Sequence, residues 1–254
     1  MKLSKLLTTL LLGFLFVSVT VSCKKAVPTA TKADPFINTF GMEFMLVKAT
    51  PGVLWSRWET RVRDYAAFCL ETQSVQGKPY FEQGDDHPVV NVDFHDAQAF
   101  CAWLSKKEGR AYRLPTDHEW SCAVGIGAQE DAAATPTAKS EGGIKGVYPW
   151  GTAWPPPKGS GKLHPDISND SYAYTSPVGK FSPSTDGLYD LSGNVWEWCG
   201  SLYDPCDTLR VLRGGSWVNG NPTNLLSSFR LNVHPSIRNV NLGFRLVLSV
   251  GGGG

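Results

Sequence analysis

The sequence predicts an α+β domain of short helices and short strands joined by long irregular connections, and three observations carry that expectation. Nine Trp, 26 Gly and 17 Pro in 254 residues favour turns and loops over long helices. Helical spacing and capping patterns are confined to the first half of the chain. The last fifth is a frame with an irregular filling: Arg213-Gly-Gly-Ser-Trp217 opens it and Gly243-Phe-Arg-Leu246 closes it.

In chain order, Lys2 and Lys5 precede an apolar run from Leu6 to Val21 that ends in Ser22-Cys23-Lys24-Lys25. This is the pattern of an export signal, and the run is short for a membrane span. Cleavage before Cys23 and lipidation of its thiol would give a bacterial lipoprotein, although Thr20 stands where such signals usually carry an aliphatic residue. Residues 1–22 are thus expected to be the signal and 23–35, rich in Thr, Ala, Lys and Pro, a flexible tether. One domain follows over residues 36–250. The expected location is the bacterial cell envelope, on the outer-membrane surface, with membrane contact through the lipid anchor only.

Phe36 to Val47 alternates loosely and predicts an early strand; Trp55 to Arg61 predicts a second. Asp64 is a candidate cap for a helix to about Thr72, with Tyr65, Phe68 and Cys69 on one face. After Val89-Val-Asn-Val92 comes a helix capped by Asp93 or His95 and running through Lys106, with Ala97, Phe100, Cys101 and Leu104 as its apolar stripe. Thr116 and Glu119 stand in capping-box positions for a third, short helix. Residues 125–183 carry little regular pattern, so something else, such as a metal ion, must fix those loops. Val211 to Trp217 and Gly243 to Ser249 are expected to be paired closing strands.

Hydrophobic residues make up 42% and charged residues 19%, and the net charge of +1 argues against a nucleic-acid footprint. Without Cys23 five cysteines remain, an odd number that cannot pair completely within one chain. Cys69, Cys101 and Cys122 lie in apolar helical contexts and are expected to be buried structural thiols. Spacing alone leaves the pairing of Cys199 with Cys206 open.

Several phrases then agree with one family. Asp86-His-Pro-Val-Val-Asn-Val92, Arg113-Leu-Pro-Thr-Asp-His-Glu-Trp120, Tyr148-Pro-Trp-Gly151, Ser176-Pro-Val-Gly179, Gly187-Leu-Tyr-Asp-Leu-Ser-Gly-Asn-Val-Trp-Glu-Trp198, Arg213-Gly-Gly-Ser-Trp217 and Gly243-Phe-Arg245 stand in this order. The chain resembles formylglycine-generating enzymes and their relatives over nearly its whole mature length. The resemblance implies their C-type-lectin-like fold, with short helices around small twisted antiparallel sheets. Those enzymes use two cysteines and copper just after the Arg-Gly-Gly motif; the matching positions here are Asn219 and Asn224, and no cysteine follows Cys206. Asn supplies neither a thiolate nor a soft copper ligand, so no copper and no such catalysis are expected. His87, His95, His118, His164 and His234 show no helical pairing of the kind the related iron enzymes would need.

The chain is also similar to the variable proteins of diversity-generating retroelements, of the Treponema type. In that family errors at template adenines turn Asn codons into others, while framework codons stay fixed. Between the two anchors lie six of the chain's ten asparagines and no Lys, Asp or Glu. An ordinary loop whose asparagines form turns remains the alternative. With the retroelement reading, the variable region covers about residues 213–246, and the ligand-facing candidates are Val218, Gly220, Asn221, Phe229, Leu231, Asn232, Val233, His234, Ser236, Ile237, Asn239, Val240, Asn241 and Leu242. Trp217, Leu225, Leu226, Ser227, Arg230, Pro235 and Arg238 are expected to position them. Phe229, Leu231 and Ile237 are equally open to a place in the core. The resemblance further implies a structural calcium loop formed by Asp190, the carbonyls of Gly193 and Val195, and Glu197; bracing by hydrogen bonds alone is the other reading. A second calcium loop around Asp166 to Tyr172 is poorly matched. The expected function is display of a ligand-binding surface toward an unidentified protein or other macromolecule, without catalysis. An enzyme acting through other residues, or an envelope protein with a fixed partner, is the second expectation.

Overall fold

The structure is a computed structural model that describes residues 28–250 apart from 142 and 169; the signal segment and Cys23 lie outside the described residues. A five-stranded sheet has the order β1-β2-β3-β9-β4, made of Phe36–Ile37, Glu43–Leu46, Val53–Ser56, Val247–Ser249 and Ala111–Arg113. Its last strand in sequence lies between two early ones, with Leu248 opposite both Leu54 and Tyr112. A four-stranded sheet has the order β7-β6-β5-β8, made of Leu231–Val233, Arg210–Arg213, Trp196–Leu202 and Leu242–Gly243. Four α-helices accompany them: α1 Val62–Thr72, α2 Phe94–Glu108, α3 Asp117–Ala123 and α4 Pro136–Glu141. The α+β class is as expected.

The helices form where local chemistry asks for them. Asp93 caps α2, accepting from the Asp96 amide at 2.9 Å, and the stripe Ala97, Phe100, Cys101 and Leu104 is buried. It packs on α1 and the C-terminal segment through rings: Tyr65 stacks on Phe100 at 5.8 Å and Phe244 meets Phe100 at 5.5 Å. Thr116 and Glu119 close their capping box on α3.

Three expectations are corrected and one is met. Asp64 is not the cap of α1 but its third residue; Arg61 holds the cap position in extended backbone, and the Asp64 carboxylate takes its amide and guanidinium at 2.8 to 3.1 Å. The second strand runs Val53–Ser56 and stops short of Arg61, because Thr60 bonds instead to Phe244 and Val89. Residues 125–183 carry little regular structure, as expected, and their six-residue α4 begins at Pro136 with the Thr135 hydroxyl taking the Ala138 amide at 3.2 Å. The two closing strands do not pair with each other: β6 flanks one side of β5, β8 the other, and β9 joins the first sheet.

The loops of the middle section are tied by ring stacking and by buried hydrogen bonds. Tyr148 and Trp150 stack at 4.9 Å, and Tyr148 joins Leu163 and Leu225 in a small core. The ammonium of Lys162, fully buried, donates to the Leu163 carbonyl at 2.8 Å and to Asp170 at 3.3 Å. A buried charge of this kind persists only when paired.

All five cysteines among the described residues are free. Burial pushes the Cys101 thiol up to about 12, and it raises Cys199 as well; Cys69 and Cys122 are half-buried, while Cys206 is exposed. Iodoacetamide is therefore expected to label Cys206 first in the folded protein and Cys101 and Cys199 only on unfolding, as read by peptide mass spectrometry. Early labelling of Cys199 would contradict its burial in β5.

Candidate functional site

The C-terminal frame is built on β5. Glu197 of that strand stands opposite Arg213 on one side and Gly243 on the other, so both ends of the frame meet at one residue. Glycine is required at the closing end: a Cβ on Gly243 would lie 2.7 Å from the Val89 carbonyl oxygen. At the opening end Gly215 has φ +77°, and a Cβ there would meet Leu225 at 2.7 Å. The ends are also fastened directly. Asn241 donates to the Ser216 hydroxyl at 3.2 Å, the Trp217 indole donates to the Val240 carbonyl at 3.3 Å, and the Trp196 amide donates to the Asn241 carbonyl at 2.8 Å.

Two buried ionic clusters hold the frame. In the first, Asp117 at the start of α3 accepts from Arg213 and, at 2.8 and 3.0 Å, from Arg230; Arg230 also reaches Glu130 at 2.7 Å. Burial works to raise the Asp117 carboxyl, but Arg213 and Arg230 together hold it below its ordinary value. In the second, Arg245 grips Glu197 with two hydrogen bonds of 2.6 and 2.7 Å, and the Trp120 indole adds a third at 3.0 Å. Glu59 and Asp190 lie in the same buried region. Burial, with Asp190 and Glu197 nearby, raises Glu59 well above its usual value; burial raises Asp190 to about 6.

The residues expected to form the calcium loop lie in and beside this second cluster. The cation facing Glu197 is the Arg245 guanidinium, which bonds to both carboxylate oxygens. Asp190 accepts from the Gly179 amide at 2.7 Å with one oxygen, and its other oxygen is buried without a hydrogen-bond partner. Gly193 is tied to neighbouring loops, its amide donating to the Gly214 carbonyl. The Val195 amide donates to Glu59 at 3.1 Å. These contacts brace the loops around β5. Among the described residues no group of three or more His, Cys, Asp or Glu is arranged to hold a metal.

The segment inside the frame divides in two. Its positioning residues are buried or tied: Leu225 and Ser227 are buried, Arg230 is in the first cluster, the Pro235 carbonyl takes the Phe94 amide, and Arg238 reaches Asp93 and Asp96 at the start of α2. Of the ligand-facing candidates, Val218, Asn221, His234, Ser236, Ile237 and Asn239 are exposed. Gly220, Phe229, Leu231, Asn232, Val233, Val240 and Asn241 are half-buried. Leu242 is corrected outright: it is 4% exposed and belongs to the main core. Phe229, Leu231 and Val233 pack against that core, Phe229 lying 5.9 Å from Trp196. Gly220 faces His164, and Asn232 pairs with Val211 along β7.

Asn219 and Asn224 have structural places. The Asn219 side-chain oxygen accepts from the Ser216 amide and hydroxyl at 2.9 and 2.8 Å, closing a turn just beyond the frame's opening. Asn224 lies in a single 3-10 turn, Pro222–Leu225, capped by Asn221. Outside the segment, Phe81 and Tyr174 pack edge-on to Trp217 at 5.8 and 5.2 Å, a contact for which the only signal in the sequence is exposed aromatics within polar loops.

Over residues 18–250 the chain matches the family described as sulfatase-modifying factor enzyme 1-like domain. It is 38% identical over 183 residues to the inactive C-alpha-formylglycine-generating enzyme 2 of Bos taurus, covering 65% of this chain and 52% of that protein. It is 30% identical over 188 residues to the formylglycine-generating enzyme of Streptomyces coelicolor, covering 67% of this chain and 54% of that one. The chain thus spans about half the length of these curated relatives. Treponema denticola variable protein 1 superposes with a TM-score of 0.58 at 24% identity, covering 78% of this chain and 84% of that chain, a likeness of fold.

Proposed function

The chain belongs to the sulfatase-modifying factor enzyme 1-like family and has its C-type-lectin-like α+β fold, and from that premise we propose that it displays a ligand-binding surface instead of catalysing a reaction. The observation that carries the reading is the division of the C-terminal segment. Framework side chains are buried in ionic clusters or bonded to neighbouring loops, whereas Val218, Asn221, His234, Ser236, Ile237 and Asn239 between them face solvent. A surface held this way loses little conformational entropy on contact and tolerates exchange of its exposed residues. Loss of both cysteine positions supports the same reading, since Asn219 now serves the Ser216 turn.

The finer proposal is that a retroelement diversifies this segment on a lipid-anchored protein at the cell surface, with a macromolecular ligand. Sequencing the coding segment across a growing population tests it. Replacements are expected at the six exposed positions and absent at Arg213, Trp217, Arg230 and Arg245, with a near-identical template repeat beside a reverse-transcriptase gene. A uniform segment with no such repeat sinks the retroelement part. The non-catalytic part is tested by incubating the protein with a sulfatase cysteine peptide, and aldehyde formation would overturn it.

A further inference from the structure

Tyr80, Phe81, Tyr174 and Trp217 come from three separate loops and form one ladder of rings. Phe81 and Tyr174 stack face to face, 4.4 Å apart and 4° from parallel; Tyr80 stands edge-on to Tyr174 at 5.6 Å, and Trp217 closes the other side at 5.2 Å. Two of the rings are open to solvent, Tyr80 at 72% exposure and Tyr174 at 37%. Three aromatic side chains are drawn together outside the hydrophobic core clusters, against the framework tryptophan whose indole is fixed to Val240.

The chemistry around the ladder is neutral. The segment beside it is rich in asparagine and carries no Lys, Asp or Glu. Its two arginines are spent internally, Arg230 on Asp117 and Glu130 and Arg238 on Asp93 and Asp96. Lys78 and Glu82 bracket the Tyr80–Phe81 pair with opposite charges. The two flanking charges are of opposite sign, so no net charge favours a charged ligand here. Flat C–H faces would find rings, and hydroxyls would find the exposed amide of Asn239, next to the residue that holds Trp217.

We propose that this ladder is a fixed stacking platform for the sugar rings of a neutral glycan, with the amides of the C-terminal segment completing recognition. The proposal rests on reading that segment as ligand-facing, and it adds a subsite that diversification does not touch. Titration calorimetry of the full chain with chitohexaose, cellohexaose, laminarihexaose and maltohexaose tests it. At least one is expected to bind, with Tyr80→Ala and Tyr174→Ala each weakening it about three- to tenfold and Tyr174→Phe leaving it nearly intact. Tyr80 is exposed enough that its loss leaves folding unchanged, so that variant stays informative even if Tyr174→Ala unfolds. No binding to any of the four sugars overturns the inference, as does binding unchanged in Tyr80→Ala. Preference for a neutral aromatic-rich peptide over every sugar overturns it in favour of a protein partner. Population sequencing does not depend on this titration, so a uniform segment and a failed platform are separate results.

Discussion

Asp117→Asn is expected to lower the unfolding free energy by about 3–5 kcal/mol, because it removes one partner from a buried ionic cluster and leaves the others buried. Asp117 is 2% exposed, and Arg213 and Arg230 are 0% and 4% exposed. After the substitution Arg213 keeps the Ser121 hydroxyl and the Ser227 carbonyl, neither of which carries charge. Arg230 keeps Glu130, so the loss falls mainly on Arg213 and on the opening of the frame. Urea unfolding followed by tryptophan fluorescence measures the change. The sign of the pH dependence follows from the lowered carboxyl: its contribution is present above the unfolded value of 3.8 and is lost as pH falls through the lower folded value. A loss below about 1 kcal/mol would mean that Arg213 finds other compensation, and the cluster would not be what fixes the frame.

What was legible in the sequence follows the distance over which each contact acts. The capping box of Thr116 with Glu119 spans three residues and could be read directly, as could the buried stripe of α2. The role of Asp117 could not, since Arg213 and Arg230 lie 96 and 113 positions away. Within the frame, the expectation that Leu225, Ser227, Arg230 and Arg238 position the segment agrees with their burial and bonds. Leu231 and Val233 are half-buried and pack against the core, and a three-residue strand offers too little alternation to show in the sequence which face is inward. The same limit hid the pairing of the closing strands, whose partners are set by β5 and by the N-terminal strands. Tyr80 and Tyr174 are brought together only by the fold, and each alone reads as a loop aromatic. At Glu197 the local motif marks a carboxylate but not the charge that faces it. The cation that does so is Arg245, 48 positions later.

That cation is the subject of the second large effect. Arg245→Met is expected to destabilise the domain by about 3–5 kcal/mol near neutral pH, with part of the loss recovered in mild acid. The pair lies wholly inside, with Arg245 and Glu197 both at 0% exposure, and two more buried carboxyls, Glu59 and Asp190, share the region. One guanidinium therefore serves three acids, and two of the three are pushed toward their protonated forms. An acid whose folded pKa lies above its unfolded value binds more protons when folded, so its contribution is most favourable in acid and falls as pH rises between the two values. For Asp190 that window runs from 3.8 to about 6. A difference of that size is worth about 3 kcal/mol. Asp190→Asn should remove this slope, so the variant gains on the parent protein as pH rises across the window and holds a constant lead above it. Arg245→Met should steepen it, since the remaining carboxylates then ionise against each other without a counter-charge. Thermal unfolding of the three proteins at several pH values separates these outcomes. If Arg245→Met were equally unstable at every pH, the arginine would act by packing alone and the carboxyls around it would already be compensated in some other way.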